Sequence, residues 1–157
     1  MNNSQLHVIF GTGPVGKSTA RELVKLGQQV RLINRSGHAA DLPPGVEVVR
    51  GDAYNAASVA QLTADAAVVY QAAQPEYHEW VEKFPPLQAA VLEGAAAAGA
   101  RLVVVENLYA YGDTGGRPLT EDLPPAPHTR KGRVRAAMTE SLLAAHRSGK
   151  VQIAIGR

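Results

Sequence analysis

Eight residues near the N-terminus, Gly11-Thr12-Gly13-Pro14-Val15-Gly16-Lys17-Ser18, have the types and spacing that phosphate binding needs. They satisfy two patterns at once. As Gly-x-Gly-x-x-Gly they form a dinucleotide-binding loop, and as Gly-x-x-x-x-Gly-Lys-Ser they form the phosphate loop of a nucleoside triphosphatase. Both rely on the same physics: glycines let backbone amides approach phosphate oxygens, and the positive end of the following helix favours the negative charge. The triphosphate reading requires Ser18 on Mg²⁺ and an acid at the end of another strand, for which Glu106 after the run 102–105 is the candidate. The dinucleotide reading requires a residue that reads the adenosine ribose about 20 residues beyond the glycines. Asn34-Arg35-Ser36 stands there, with no acid and one guanidinium. A guanidinium suits the 2′-phosphate of NADP, so NADP is the expected cofactor, with NAD as the alternative.

The elements that must position these residues are legible from apolar runs. Residues 6–10 are apolar and β-branched and end at Gly11; residues 14–26 have helical composition and close on Gly27. Further strand candidates are 30–33, 46–49, 66–70, 102–105 and 151–155, six in all. Between them the sequence predicts a short helix over 58–62 and an alanine-rich helix from Pro86, where proline suits a first turn. A last helix over 131–146 has Val134, Met138, Leu142 and Ala145 on one face. Only the connection between strands two and three lacks a helix. Alternating strands and helices with near-continuous apolar strands imply a parallel sheet covered on both faces, in the order 3-2-1-4-5-6. The fold class is therefore α/β, a three-layer doubly wound fold with a six-stranded parallel sheet. Its ligand crevice lies at the carboxyl ends of strands one and four. The Gly- and Pro-rich stretch 112–128 reads as an exposed loop.

Composition excludes several function classes. The 157 residues contain no cysteine, which removes disulfides, thiolate metal sites and cysteine nucleophiles. The five histidines are widely spaced, and no metal site is expected. Sixteen Lys and Arg against fourteen Asp and Glu are scattered rather than striped, so no nucleic-acid footprint is expected. No uncharged stretch approaches the roughly 18 residues of a membrane span, and the expected location is the cytoplasm.

The chain resembles the NAD(P)-dependent epimerase/dehydratase family of the extended and atypical short-chain dehydrogenase/reductases. The resemblance is carried by the glycine loop, by Gly51-Asp52-Ala53, by Tyr70-Gln71-Ala72-Ala73-Gln74-Pro75, by Tyr111-Gly112 and by Leu119-Thr120-Glu121-Asp122. It implies a Rossmann fold that binds NAD(P) and supports hydride transfer on an unknown small molecule. Asp52 and Ala53 would lie at the adenine, Ala72 and Ala73 along the cofactor, and the end of strand five beside the nicotinamide. It also implies that the helices flanking strand five could pair in a homodimer.

Two departures qualify what the resemblance implies. Members that perform redox chemistry carry Tyr-x-x-x-Lys at the start of the helix after strand five, and here that stretch reads His128-Thr129-Arg130-Lys131-Gly132-Arg133-Val134-Arg135. Asn107 stands where Ser or Thr is expected. Tyr109 and Lys131 are the remaining candidates for acid chemistry, Lys131 or Arg135 could hold a ribose or phosphate, and a solvated basic helix start is the competing account of the cluster. Relatives also continue past the position of Arg157 into a smaller part that forms most of the substrate pocket. Residues 1–157 are thus expected to form one NAD(P)-binding domain, as a fragment or as a minimal cofactor-binding protein. A non-catalytic NADP sensor or scaffold and a P-loop phosphotransferase stand as alternative functions.

Overall fold

In a computed structural model, which describes residues 4–157, six strands form one all-parallel sheet in the order β3-β2-β1-β4-β5-β6. The strands are β1 (Leu6–Phe10), β2 (Gln29–Asn34), β3 (Val46–Arg50), β4 (Val68–Gln71), β5 (Arg101–Val105) and β6 (Ile153–Gly156). Four helices connect them: α1 (Pro14–Lys25), α2 (Ala56–Thr63), α3 (Trp80–Ala97) and α4 (Arg130–Arg147). The chain builds outward from β1 through β2 and β3, then returns to the other side of β1 with β4. Phe10 therefore lies in register with both Ile33 and Gln71. Where the direction of winding reverses, the loops after β1 and β4 diverge and leave a crevice.

The two faces are covered unequally. Val8, Phe10, Val69, Leu102 and Val104 point to one face, where Val59 of α2, Phe84 and Val91 of α3, and Met138 and Leu142 of α4 bury them. Ile9, Val30 and Leu32 point to the other, against Ala20 and Leu23 of α1. The predicted face of the last helix is correct, with Met138, Leu142 and Ala145 buried and Val134 packed at its edge. Gly94 allows α3 to lie directly on α2, since a Cβ there would sit 2.4 Å from the Val59 side chain. Thr63 uses that proximity and donates to the carbonyls of Val59 and Gly94. Helices α1, α3 and α4 all end on a left-handed glycine, at Gly27, Gly99 and Gly149, and turn straight into the next strand.

Several boundaries differ from the sequence reading. Helix α3 begins at Trp80 rather than at Pro86, so Pro85 and Pro86 lie inside it. Their missing N–H groups deprive the carbonyls of Val81 and Glu82 of donors, and these two residues are half-buried and exposed respectively, where water can serve instead. The extra turns are held by burial of Trp80 and Phe84, whose rings meet edge to face 5.4 Å apart, and tertiary packing overrides the local preference. Strands β4 and β6 each start two residues later than the apolar runs suggest, because Ala66 and Val151 are buried in the turns that precede them.

Candidate functional site

The glycine loop is a tight turn, and each glycine has a different reason to be there. Gly11 has φ +111° and donates to the Ile33 carbonyl; a Cβ on it would fall 2.6 Å from the Ala73 amide nitrogen. Gly16 packs the first turn of α1 onto the loop, where a Cβ would lie 2.0 Å from the Gly11 carbonyl oxygen. Gly13 differs from both. It has ordinary extended backbone, forms the N-cap of α1, and a Cβ there would meet nothing within 4 Å. That open space lies at the start of α1, whose first turn holds Pro14, without an N–H, and Val15 and Gly16, whose amides form no backbone hydrogen bond among the described residues. A cradle kept clear of side chains, with unpaired amides and the positive end of a 12-residue helix, fits a phosphate group.

The cradle opens into a cleft of about 440 Å³ across the carboxyl ends of β1, β2 and β4. Gly11, Thr12, Gly13, Pro14, Val15, Asn34, Arg35, Asp52, Ala53, Ala72 and Ala73 all line it. Two predicted residues stand outside its lining: Gly16 lies behind the loop, and Ser36 is folded into the turn after β2, where its hydroxyl bonds Asn34 and His38. Asn34 borders the cleft but has no free hydrogen-bonding capacity. Its Nδ2 donates to Thr12 Oγ1 at 3.0 Å and to the His38 carbonyl at 2.7 Å, while Oδ1 accepts from the Gly37 amide and from Ser36. Its place is to clamp the β2 end to the glycine loop, which corrects the expectation that Asn34 and Ser36 are free to bond a ribose. Arg35 is exposed, borders the cleft and has no ion-pair or hydrogen-bond partner among the described residues.

The cleft also holds residues that the sequence reading missed. Tyr54, Glu79, Lys83 and Leu87 form its far wall. Tyr54 follows Asp52, whose carboxylate accepts the Tyr54 amide, and partial burial pushes the Tyr54 phenol up. Glu79 and Lys83 form an i,i+4 pair on the first turn of α3. Their hydrogen bond lowers the pKa of Glu79 and raises that of Lys83. The i,i+4 spacing of Glu79, Lys83 and Leu87 was a usable signal, hidden by starting the helix at Pro86.

The triphosphate reading fails on geometry. Helix α1 starts at Pro14, so Lys17 already lies in the helix, with its amide bonded to the Gly13 carbonyl at 3.0 Å. The loop is too short for Lys17 and Ser18 to turn toward the cradle, and neither borders the cleft. Glu106 is no Mg²⁺ ligand either. Its carboxylate is buried with Arg135, which brings Nη2 to 2.7 Å of Oε1 and donates from Nε to Oε2 at 3.1 Å. Burial raises the Glu106 pKa against the opposing pull of Arg135, and burial also lowers that of Arg135, which remains a cation. Arg135 thus neither faces a ribose nor belongs to a solvated basic cluster.

At the end of β5, the Glu106 carboxylate accepts the Asn107 amide, and the Asn107 side chain accepts the Tyr109 amide at 3.0 Å. Asn107 shapes this turn. Tyr109 is exposed beside Trp80, and the neighbouring Tyr77 phenol raises its pKa. The Lys131 ammonium lies 3.0 Å from the centre of the Tyr77 ring. Tyr77, Tyr109 and Lys131 border a second recess of about 510 Å³. Of the aromatic run 77–80, Trp80 anchors the loop in the core, while Tyr77 remains at the surface. Among the described residues no three potential ligands gather to hold a metal ion, and no helix is long and apolar enough to cross a membrane.

Comparison with known proteins agrees with this geometry. The UDP-glucose 4-epimerase of Thermus thermophilus, solved with NAD, superposes with a TM-score of 0.82 at 20% identity over 96% of this chain and 53% of its own. The UDP-glucose 4-epimerase of Brucella ovis, also with NAD, gives a TM-score of 0.83 at 17% identity over 97% and 51%. A dTDP-glucose 4,6-dehydratase of Streptomyces venezuelae, with NAD bound, gives 0.80 at 20% over 96% and 54%. These likenesses show the fold, and this chain spans about half the length of those enzymes. No curated protein matches the sequence. A family model described as NAD(P)H-binding matches residues 11–147, from the first glycine of the loop to the last residue of α4, and the chain belongs to that NAD(P)H-binding family.

Proposed function

We propose that this domain binds NADP(H) in preference to NAD(H) and serves hydride transfer of the kind carried out by epimerases, dehydratases and related reductases. The observation that carries the cofactor preference is Arg35, a guanidinium with no ion-pair or hydrogen-bond partner among the described residues, at the edge of the cleft where β2 ends. The diphosphate would lie on the Gly13 cradle against the amides of Val15 and Gly16, with Ala72 and Ala73 along the opposite wall and Asp52 and Ala53 toward the adenine. When bound, the cofactor supplies a hydride donor or acceptor. The protein residues bind and orient it.

A charge-assisted hydrogen bond contributes about 1.5–3 kcal/mol, roughly one to two decades in affinity. Isothermal titration is expected to show NADPH binding at least about tenfold tighter than NADH. Arg35→Ala is expected to remove most of that difference and leave NADH affinity nearly unchanged. Equal losses for both cofactors would show Arg35 to be structural.

The absence of tyrosine from the first turns of α4 favours a second reading, an NADP-responsive sensor or scaffold. Sustained NADPH oxidation with a carbonyl substrate decides for the enzyme. Proton donation would then fall to Tyr109, the exposed phenol in the turn after β5.

A homodimer through α3 and α4 is part of the same proposal, with a change of face. Met138 and Leu142 are committed to the sheet, so the surface available for pairing is the shallow groove bordered by Pro85, Ala89, Val134, Ala137 and Ser141. Its small residues permit close approach of a symmetry mate. Light scattering is expected to show a dimer at micromolar concentration that Ala137→Arg dissociates, and a wild-type monomer would remove the proposal.

A further inference from the structure

The recess at the end of β5 is separate from the cofactor cleft but shares a wall with it. Gln74, Pro75 and Glu76 face the cleft, and Tyr77, next in the chain, faces the recess. The recess gathers four of the large apolar side chains that this protein leaves exposed, Tyr77, Leu108, Tyr109 and Leu119, at 43–54% exposure. Clustering of this kind differs from the scattered apolar residues of an ordinary surface. Arg130 and Lys131 border it at the start of α4, and neither has a carboxylate or hydrogen-bond partner among the described residues. Lys131 instead rests on the Tyr77 ring, an arrangement that leaves N–H donors of the ammonium without an acceptor among the described residues. Glu76 and Asp113, which adjoin recess residues in sequence, and Glu121 and Asp122 of the following loop do not border the recess.

An apolar floor with a cation at its rim selects a ligand of matching polarity. We propose that the recess binds a compact apolar carboxylic acid, with its hydrocarbon part on Tyr77, Leu108 and Leu119 and its carboxylate at Lys131, and that oxo or hydroxy acids of this class, which carry the carbonyl or alcohol that a nicotinamide reduces or oxidises, are the substrates of the domain. The proposal rests on the reading that a nicotinamide cofactor occupies the adjoining cleft. It differs from a sugar nucleotide in what it asks of the recess: apolar contact and one negative charge, rather than many hydroxyl partners.

The single tryptophan reports on this recess directly, since the Trp80 ring lies 5.1 Å from Tyr77 and 5.8 Å from Tyr109. Titration with 3-phenylpropanoate, followed by Trp80 emission excited at about 295 nm, where this probe is nearly transparent, is expected to give saturable binding. The neutral 3-phenylpropanamide is expected to bind about tenfold more weakly, and acetate not at all, because a charged hydrogen bond and apolar contact are both needed. Lys131→Met is expected to weaken the acid about tenfold and leave the amide unchanged, with thermal stability and NADPH affinity as controls for folding. No binding of the acid to wild type, equal binding of acid and amide, or an acid affinity indifferent to Lys131→Met would each overturn the proposal. Loss of NADPH binding by the wild type would instead overturn the cofactor reading, so the two failures are distinguishable.

Discussion

Gly13→Val is expected to fold with a melting temperature within a few degrees of wild type and to lose NADPH and NADH affinity by at least about a hundredfold, near 2.7 kcal/mol. The backbone at Gly13 has φ −72° and ψ −176°, a conformation open to any residue, and an added Cβ meets no protein atom within 4 Å. The valine methyl groups would instead occupy the space against the Val15 and Gly16 amides that a diphosphate must enter. Gly16→Ala provides the contrast. Its methyl group collides with the Gly11 carbonyl oxygen at 2.0 Å, and backbone at both positions must move, at a cost of about 1–3 kcal/mol in stability. Thermal melts and titration calorimetry on the two variants separate a glycine kept for the ligand from one kept for the fold. Undiminished cofactor binding by Gly13→Val would place the phosphates elsewhere.

The second large effect is on stability. Arg135→Met is expected to destabilise the domain by about 3–5 kcal/mol, because it leaves the Glu106 carboxylate buried without its counter-charge. For a chain of this size the melting temperature should fall by roughly 10 °C. The loss depends on pH in a definite direction. Burial already raises Glu106 above its ordinary value, and removing Arg135 raises it further. The folded form then holds its proton more tightly than the unfolded chain. The variant is therefore least destabilised at pH below the unfolded carboxylate pKa, and it loses stability as pH rises toward the folded pKa. The double variant Glu106→Leu/Arg135→Met, which buries neither charge, is expected to recover most of the loss. Urea melts at pH 5 and pH 8 test both statements, and a stability difference independent of pH would show that packing of Arg135 on Phe84, 4.0 Å away, matters more than charge.

The first experiment probes a site whose location was legible in the sequence for local reasons. An apolar run ending in glycine, a helix starting at proline, and a second run ending in Asn34-Arg35 define a strand, turn and helix without long-range information. Alternation of such units implies parallel strands, and strand order follows from connection length and handedness. Eleven of the thirteen proposed cofactor residues accordingly border one cleft, the exceptions being Gly16 and Ser36. The residues misplaced by the sequence reading are those whose environment depends on partners far along the chain. Arg135 has the composition of a solvated basic helix start, yet it lies 29 positions from Glu106 and is buried with it. Only the packing of α4 over the end of β5 creates that pair.

Short-range information in the chain settles the order and type of the elements, the glycine turn and the end of the sheet at which a ligand lies, since these follow from local periodicity and from steric freedom at single residues. Which polar side chains remain free is settled by tertiary contacts. Asn34 exhausts its hydrogen bonds on Thr12, Ser36, Gly37 and His38, and Arg35, one residue later, keeps all of its own. Lys17 lies within α1 because the helix starts four residues after β1 ends, a distance that the motif alone leaves open. Helix α3 starts at Trp80 because the indole and Phe84 find a core to enter, which outweighs two internal prolines. Hydrogen-bond saturation, ion pairing and aromatic burial all depend on contacts between residues distant in sequence, and such contacts exist only once the sheet has brought its strands together.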